Sequence, residues 1–274
     1  MLERRDIDLE EYKNREPLPS DVSHLLEGST LVYDKATGDL AMAYLLLDDD
    51  VSELTQVLRR VEYVKSQRPS GLQSQARIFG HQPRALPRRD FCTTASLAAD
   101  NAYAHSLVSS YAELVSRYYL EYAPETFRRH AEKTDRVLEE WKLKESPFTS
   151  GIINRNNPLR YHFDTGNHSG VWSNMIVLRH ESAGGTLSVP EFDVRFALPH
   201  NSLLMFDGQQ LLHGVTPIIL KEEDSVRFSI VFYSLKQMWN CLTVTDEIIR
   251  ARKRRMDREK KRIGDRPGQL RGGS

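Results

Sequence analysis

Val226-Arg227-Phe228-Ser229-Ile230-Val231-Phe232-Tyr233-Ser234 reads as a β-strand with two chemically different faces. Val226, Phe228, Ile230 and Phe232 alternate at period two on one face; Arg227, Ser229, Val231 and Tyr233 occupy the other. An arginine with a hydroxyl two residues on makes a carboxylate clamp, the guanidinium binding in bidentate fashion and the serine adding a third hydrogen bond. Taken alone, the pattern also suits a half-buried antiparallel strand with one wet face. The residues ahead of it favour the clamp. His213 stands 13 residues before Val226, and 49 residues before His213 stands Asp164 of His162-Phe163-Asp164. On an extended chain the side chains at i and i+2 project to the same side, so His162 and Asp164 can converge on one metal while the third ligand arrives from a separate strand. Two imidazoles and a carboxylate occupy one face of Fe(II) and leave three positions open. Arg227, 14 residues after His213, is then expected to anchor the distal carboxylate of 2-oxoglutarate. His200 is the rival for the third ligand; His213 is preferred because Gly-Val-Thr-Pro and the arginine strand follow it.

With these residues in place, the sequence resembles the 2-oxoglutarate/Fe(II) oxygenases, and within them the TET/JBP branch that oxidises the methyl group of 5-methylpyrimidines in DNA. The likeness is carried by Asn154-Arg155-Asn156, Asn167, Gly170-Val171-Trp172-Ser173, Gly184-Gly185-Thr186-Leu187-Ser188-Val189-Pro190, Leu203-Leu204-Met205-Phe206-Asp207-Gly208 and His213-Gly214-Val215-Thr216-Pro217. It covers residues 147–241 closely and runs back more weakly through Arg68-Pro69-Ser70-Gly71 and Ile78-Phe79-Gly80. The resemblance implies Fe(II) on His162, Asp164 and His213, with O2 and 2-oxoglutarate as co-substrates. Arg227 and Ser229 would hold 2-oxoglutarate, with Asn154, Asn156 or Asn174 at its chelating end. It implies a contact from Asn167 to the target base, and Tyr233 lining the pocket beside it. An Asn amide suits a pyrimidine edge, offering both donor and acceptor, although Asn167 is equally placed to cap the turn before Gly170. Leu235 stands where relatives acting on 5-methylcytosine carry a base-contacting histidine, which leaves 5-methylcytosine and thymine both open.

A base inside a duplex cannot reach a buried iron, so the partner is expected to be double-stranded DNA with the target nucleotide flipped out, at roughly a few kcal/mol of unstacking. Arg77, His81, Arg84, Arg88 and Arg89 are the expected DNA-backbone contacts. Two further readings stay open: an oxygenase acting on a protein side chain, a small molecule or N6-methyladenine, and a catalytically silent module that binds modified DNA.

The bulk properties bound this picture. The chain has 274 residues, 39% of them hydrophobic, and its longest apolar run, Leu40 to Leu47, is far too short to span a bilayer. The N-terminus lacks a secretion signal, and two distant cysteines without zinc-type spacing suggest free thiols in a soluble, intracellular protein. A monomer without membrane association is expected. Net charge is zero, but residues 57–89 hold eight Lys/Arg against Glu62, and residues 245–274 hold eleven against five acids. Phosphate binding depends on local charge rather than on the total.

Thr30 to Asp34 and Asp39 to Leu47 read as a hairpin, and Ser52 to Tyr63 as a helix with Ser52 as its N-cap. No period holds from Ser66 to Phe91, which reads as a long loop. Helices are expected over Ala95 to Tyr122 and Pro124 to Leu143. After Pro147, short apolar runs separated by Gly, Pro, Asn and Asp predict strands at 171–179, 186–189, 193–197, 202–206 and 226–233. The expected fold is α+β: a double-stranded β-helix (jelly-roll) oxygenase core at 147–244, supported by an N-terminal hairpin and helices in 1–146. Together 1–244 would make one domain, followed by a basic helix and tail at 245–274.

Overall fold

In the computed structural model, residues 1–67, 73–85 and 89–264 are described. Val226–Tyr233 sits in the middle of a nine-stranded sheet, paired antiparallel with Ser173–His180 on one side and Ser150–Arg155 on the other. Beyond Ser173–His180 the order runs through Ser202–Phe206 and Leu40–Leu46 to Thr30–Tyr33. Beyond Ser150–Arg155 it runs through Gln73–Gln82 to Val64–Gln67, with Thr93–Thr94 paired to the end of Gln73–Gln82. This central position explains why a strand with so few charges carries a chemically mixed face. Both faces are covered, so the polar residues on one of them must line something.

Phe228, Ile230 and Phe232 join Ile153, Ile176, Leu178 and Met205 on the face covered by helices. The main helix there is Ala102–Tyr122, whose Ala104, Val108, Ala112, Val115 and Tyr119 are buried at helical spacing. The opposite face carries Met42, Tyr44, Val177, Leu204 and Phe206 against Leu187, Val189, Val194, Phe196 and Val215 of a second sheet. That five-stranded sheet has the order His24–Leu26, Val194–Phe196, Leu187–Val189, His213–Val215, Leu159–His162. Two sheets packed face to face, with helices outside the larger one, are the expected jelly-roll core and its N-terminal support. Among the described residues no helix is long and apolar enough to cross a membrane.

The expected hairpin and the strands after residue 170 form within one or two residues of their predicted ends. Three expectations change. The loop read from Ser66 to Phe91 contains Gln73–Gln82, an interior strand. Its burial runs against hydrophobicity, with Arg77 buried and Ile78 exposed, so no period was visible. The helix expected to Leu143 stops at Thr134, and the one expected from Ala95 breaks at Asn101, whose side chain accepts from the Ala104 amide at 2.9 Å. Ser52 does not cap its helix; Asp50 accepts the Ser52 amide instead, at 2.9 Å.

The cysteines are a further correction. Cys92 and Cys241, read as free thiols, form a disulfide with Cα atoms 5.8 Å apart across a sequence separation of 149. Sequence spacing hid this, because the two segments meet only over a small cluster of Val137, Trp141 and Met238. Beside the bridge, buried Glu247 accepts from the amides of Cys92 and Leu242, each at 3.0 Å, and from Arg84 at 2.7 Å. These bonds seat the C-terminal helix Val244–Gly264 on the core. Reducing the bridge, or replacing Cys92 with Ser, should lower the unfolding free energy by about 2–4 kcal/mol, since a long loop is released in the unfolded chain. Denaturant unfolding with and without reductant checks this; identical midpoints would contradict it.

Candidate active site

Strand pairing brings the two histidines together. His162, the last residue of Leu159–His162, lies opposite His213, the first of His213–Val215, and their ring centroids are 4.4 Å apart. Each ring donates Nδ1–H to the carbonyl two residues before it, His162 to Arg160 at 2.8 Å and His213 to Leu211 at 2.9 Å. With Nδ1 committed, Nε2 is the ligating nitrogen of each ring, and each lies 3.8 Å from Asp164 Oδ1. Asp164 stands beyond the end of its strand, so strand alternation alone does not aim it. Its amide donates to the Gly208 carbonyl at 2.7 Å, and Ser173 Oγ donates to its Oδ2 at 3.1 Å. Asn167 in turn donates to Ser173 Oγ at 3.2 Å.

The three ligand atoms lie within 4.8 Å of one another, the one such cluster among the described residues. Two imidazoles and one carboxylate, with an open side, suit Fe(II) of the oxygenase type. The space beside them is equally specific. A Cβ on Gly208 would sit 2.3 Å from Asp164 Oδ2, so only glycine leaves the carboxylate where it is. The rival ligand His200 is remote, its Nδ1 accepting from the Arg179 amide at 3.0 Å.

The triad opens into a cavity of about 290 Å³. Its polar lining includes Asn154, Asn167, Ser173, Ser229 and Tyr233, and Leu187, Met175 and Val231 make it apolar elsewhere. Asn154 and Ser229 are partners across two strands, with Asn154 Nδ2 3.5 Å from Ser229 Oγ. Burial, and secondarily the charge on Asp164, raise the Tyr233 hydroxyl above the ordinary phenol range, so it remains a proton donor. Asn174 is not brought to the cavity. Alternation along Ser173–His180 turns Ser173 and Met175 inward and Asn174 toward the helices, where it donates to the Trp172 carbonyl at 3.1 Å.

Arg227 shares its strand face with Ser229, Val231 and Tyr233, and only 1% of it is exposed. Its Nε and Nη2 have no hydrogen-bond partner among the described residues. Burial, with the nearby Arg179 adding repulsion, pushes its pKa down to about 9, so the group is still cationic at neutral pH. Gly185 makes room for it, since a Cβ there would sit 2.8 Å from Arg227 Cδ. A buried guanidinium with unused donors calls for an anion, and the distal carboxylate of 2-oxoglutarate has the matching charge and shape. The donor set and the orphaned guanidinium therefore fit iron and 2-oxoglutarate respectively.

The residues expected on the DNA backbone are engaged within the protein. Arg77 is buried and ion-paired with Asp100, and Arg84 pairs with Glu247. Arg89 donates to Gln82 at 2.7 Å and to the Pro83 carbonyl at 2.8 Å. His81 packs edge-on to Trp141, and burial lowers its pKa to about 4. Arg88 lies outside the described residues, as do Arg68 to Gly71. Sequence reasoning gave no role to Ser173 or Gly208. Both lie in stretches that carry the family likeness, but nothing local to those stretches points to Asp164, which each meets through the fold.

Comparison with known proteins agrees with this geometry. The Tet_JBP family, the oxygenase domain of the 2OGFeDO superfamily, matches residues 78–236. Among solved structures the chain is similar to NgTET1 in complex with 5mC DNA, with a TM-score of 0.59 and 14% identity over 80% of this chain and 84% of that one. At that identity the likeness is one of fold. A 2OG-Fe(II) oxygenase family oxidoreductase from Burkholderia pseudomallei aligns with a TM-score of 0.44 and 14% identity over 71% of this chain and 85% of that one. No curated protein matches. If Gly208 is what admits the Asp164 carboxylate, Gly208→Ala should weaken Fe(II) binding by about 10–100-fold while the circular dichroism spectrum is unchanged. Anaerobic titration of the metal reads this, and wild-type affinity in the variant would refute it.

Proposed function

The chain belongs to the Tet_JBP family of the 2OGFeDO oxygenases, and we propose that within it the protein hydroxylates the 5-methyl group of a pyrimidine base in DNA. The family itself carries the coarser statement: an oxygenase that uses Fe(II), 2-oxoglutarate and O2. The observation that carries the chemistry is a cavity with an open-sided His–Asp–His triad in its wall and, on the strand that lines it, a buried arginine whose Nε and Nη2 have no partner among the described residues. Support for a DNA base comes from the fold likeness to NgTET1 solved with 5mC DNA, and from Asn167 and Tyr233 in the same cavity wall.

In this reading His162, Asp164 and His213 would hold the iron. Arg227 and Ser229 would hold the distal carboxylate of 2-oxoglutarate, with Asn154 steadying the serine hydroxyl. When bound, iron and 2-oxoglutarate supply the oxidising power that turns a methyl group and O2 into a hydroxymethyl group, succinate and CO2. The protein contributes position and dryness. The Nδ1–carbonyl bonds hold both imidazoles in the ligating tautomer. Ser173 keeps the Asp164 carboxylate oriented, and the same serine accepts from Asn167, so the metal ligand and the base-facing amide share one hydrogen-bond chain. Asn167 presents a donor and an acceptor type suited to a pyrimidine edge. Leu187, Met175 and Val231 keep the wall apolar and exclude water. The target nucleotide enters flipped out of the duplex, and repeated rounds would give formyl and carboxyl products.

Nucleoside mass spectrometry after incubation with a duplex containing thymine and 5-methylcytosine tests the reading. Formation of 5-hydroxymethylcytosine or 5-hydroxymethyluracil is expected, and neither should form with His162→Ala or Asp164→Ala. Turnover of 2-oxoglutarate on another substrate with no hydroxymethyl base would overturn it. Arg227→Met should weaken 2-oxoglutarate binding by about a hundredfold, for roughly 3 kcal/mol lost with a buried charge-assisted pair. Calorimetric titration of 2-oxoglutarate into the Mn(II)-loaded protein measures the loss, and unchanged affinity would remove Arg227 from the site.

A further inference from the structure

The cavity wall that contains Thr165 and Asn167 continues as His168-Ser169-Gly170, and a basic helix backs this segment. Near the end of Pro124–Thr134, Lys133 donates to the Ser169 carbonyl, and Arg129 donates to that of Gly170 at 3.4 Å. A second basic element closes on the same segment. Leu235, itself in the cavity wall, forms an isolated bridge with Asn167, and the amide of Lys236 donates to the Gly166 carbonyl at 3.0 Å. Burial first, and then the charges on Lys133 and Lys236, lower the pKa of His168.

Arg136 and Lys133 share an open surface cleft with Trp239, and Glu132 is the acid in its lining. Trp239 is 59% exposed, and the neighbouring Met238, buried in the cluster beside the disulfide, anchors the backbone that carries it. Arg129, Lys133, Arg136 and Lys236 are exposed and form no ion pair among the described residues. This separates them from Arg77 and Arg84 and from Arg250 and Arg254 of the C-terminal helix, which are tied to Asp100, Glu247 and Asp90.

We propose that Arg129, Lys133, Arg136 and Lys236, set around the exposed indole of Trp239, hold the phosphodiester strand flanking the flipped base; this rests on the DNA reading above. Uncommitted cations beside the mouth match a polyanion, and an aromatic plate among them can stack on an unpaired base or a sugar face whatever the sequence. An acidic protein surface would match the charges but has no use for a stacking plate beside the cavity wall. The contacts position the strand and read no bases.

The full chain is tested by fluorescence anisotropy on a labelled duplex carrying one 5-methylcytosine, from 50 to 200 mM salt. The triple variant Lys133→Ala, Arg136→Ala, Lys236→Ala should lose at least tenfold in affinity. Its log–log salt slope should fall by about 0.9 per lost phosphate contact. Trp239→Ala should weaken binding without changing the slope, and Trp239→Phe should restore it. A control removing the same charge elsewhere, Lys35→Ala, Arg117→Ala, Lys144→Ala, should bind as wild type. DNA-independent 2-oxoglutarate turnover should be unaltered in the triple variant, because none of the three touches the triad. Wild-type affinity and slope in the triple variant, or an equal loss in the control, would overturn the assignment. Wild-type protein that binds no duplex would overturn it together with the DNA reading. If the triple variant alone loses affinity but wild type makes no hydroxymethyl base, the rim stands and the base reading falls.

Discussion

A guanidinium buried in the middle of a sheet is the constraint around which this molecule is arranged. Leaving such a charge unpaired is worth several kcal/mol against folding, and no carboxylate among the described residues pairs with it. Arg227 is instead held by its surroundings. Asn156, in a left-handed conformation with φ of 52°, accepts its backbone amide at 2.7 Å, and Gly185 gives its side chain room. Arg179, the neighbouring guanidinium, donates to the carbonyls of Ser182, Gly184, Ala197 and Leu198 and so brings no compensating negative charge. The sheet thus stores a demand for an anion at one place, and a dicarboxylate co-substrate answers it.

The metal site follows the same logic with opposite sign. Asp164 brings its carboxylate next to two imidazoles, and the carbonyls of Arg160 and Leu211 fix those imidazoles before any ion arrives. The arrangement is rigid because each partner is backbone of the strands themselves or of their immediate approach. From Asp164 the hydrogen bonds run through Ser173 to Asn167, on the segment that also meets Leu235. A change in what fills the cavity beside Asn167 is therefore felt at the metal ligand within two hydrogen bonds.

Charge behaves differently in sequence and in space. The basic stretch before residue 90 looks like a nucleic-acid contact when counted along the chain. In the fold, its Arg77 and Arg84 side chains turn to Asp100 and Glu247, tying an interior strand and the segment after it to two helices. The uncommitted cations near the cavity come from segments a hundred residues apart, Arg129 to Arg136 and Lys236, and no window on the sequence unites them. The same holds for Cys92 and Cys241, whose separation concealed a cross-link.

The sequence by itself determined the alternation of Val226–Tyr233, the strands around it, and the ligand types at 162, 164 and 213, because period-two burial and metal chemistry are local properties of residue order. It also determined the jelly-roll class, since short runs punctuated by turn residues admit few other architectures. Only the tertiary structure decided which polar residues face the cavity. Asn154 enters it and Asn174 does not, a difference of one strand face that depends on register. It likewise decided that Gln73–Gln82 is an interior strand despite its polar composition, because a buried arginine is tolerated there only through an ion pair with Asp100 on a separate helix. Contacts between distant segments set these outcomes, and composition along the chain does not encode them.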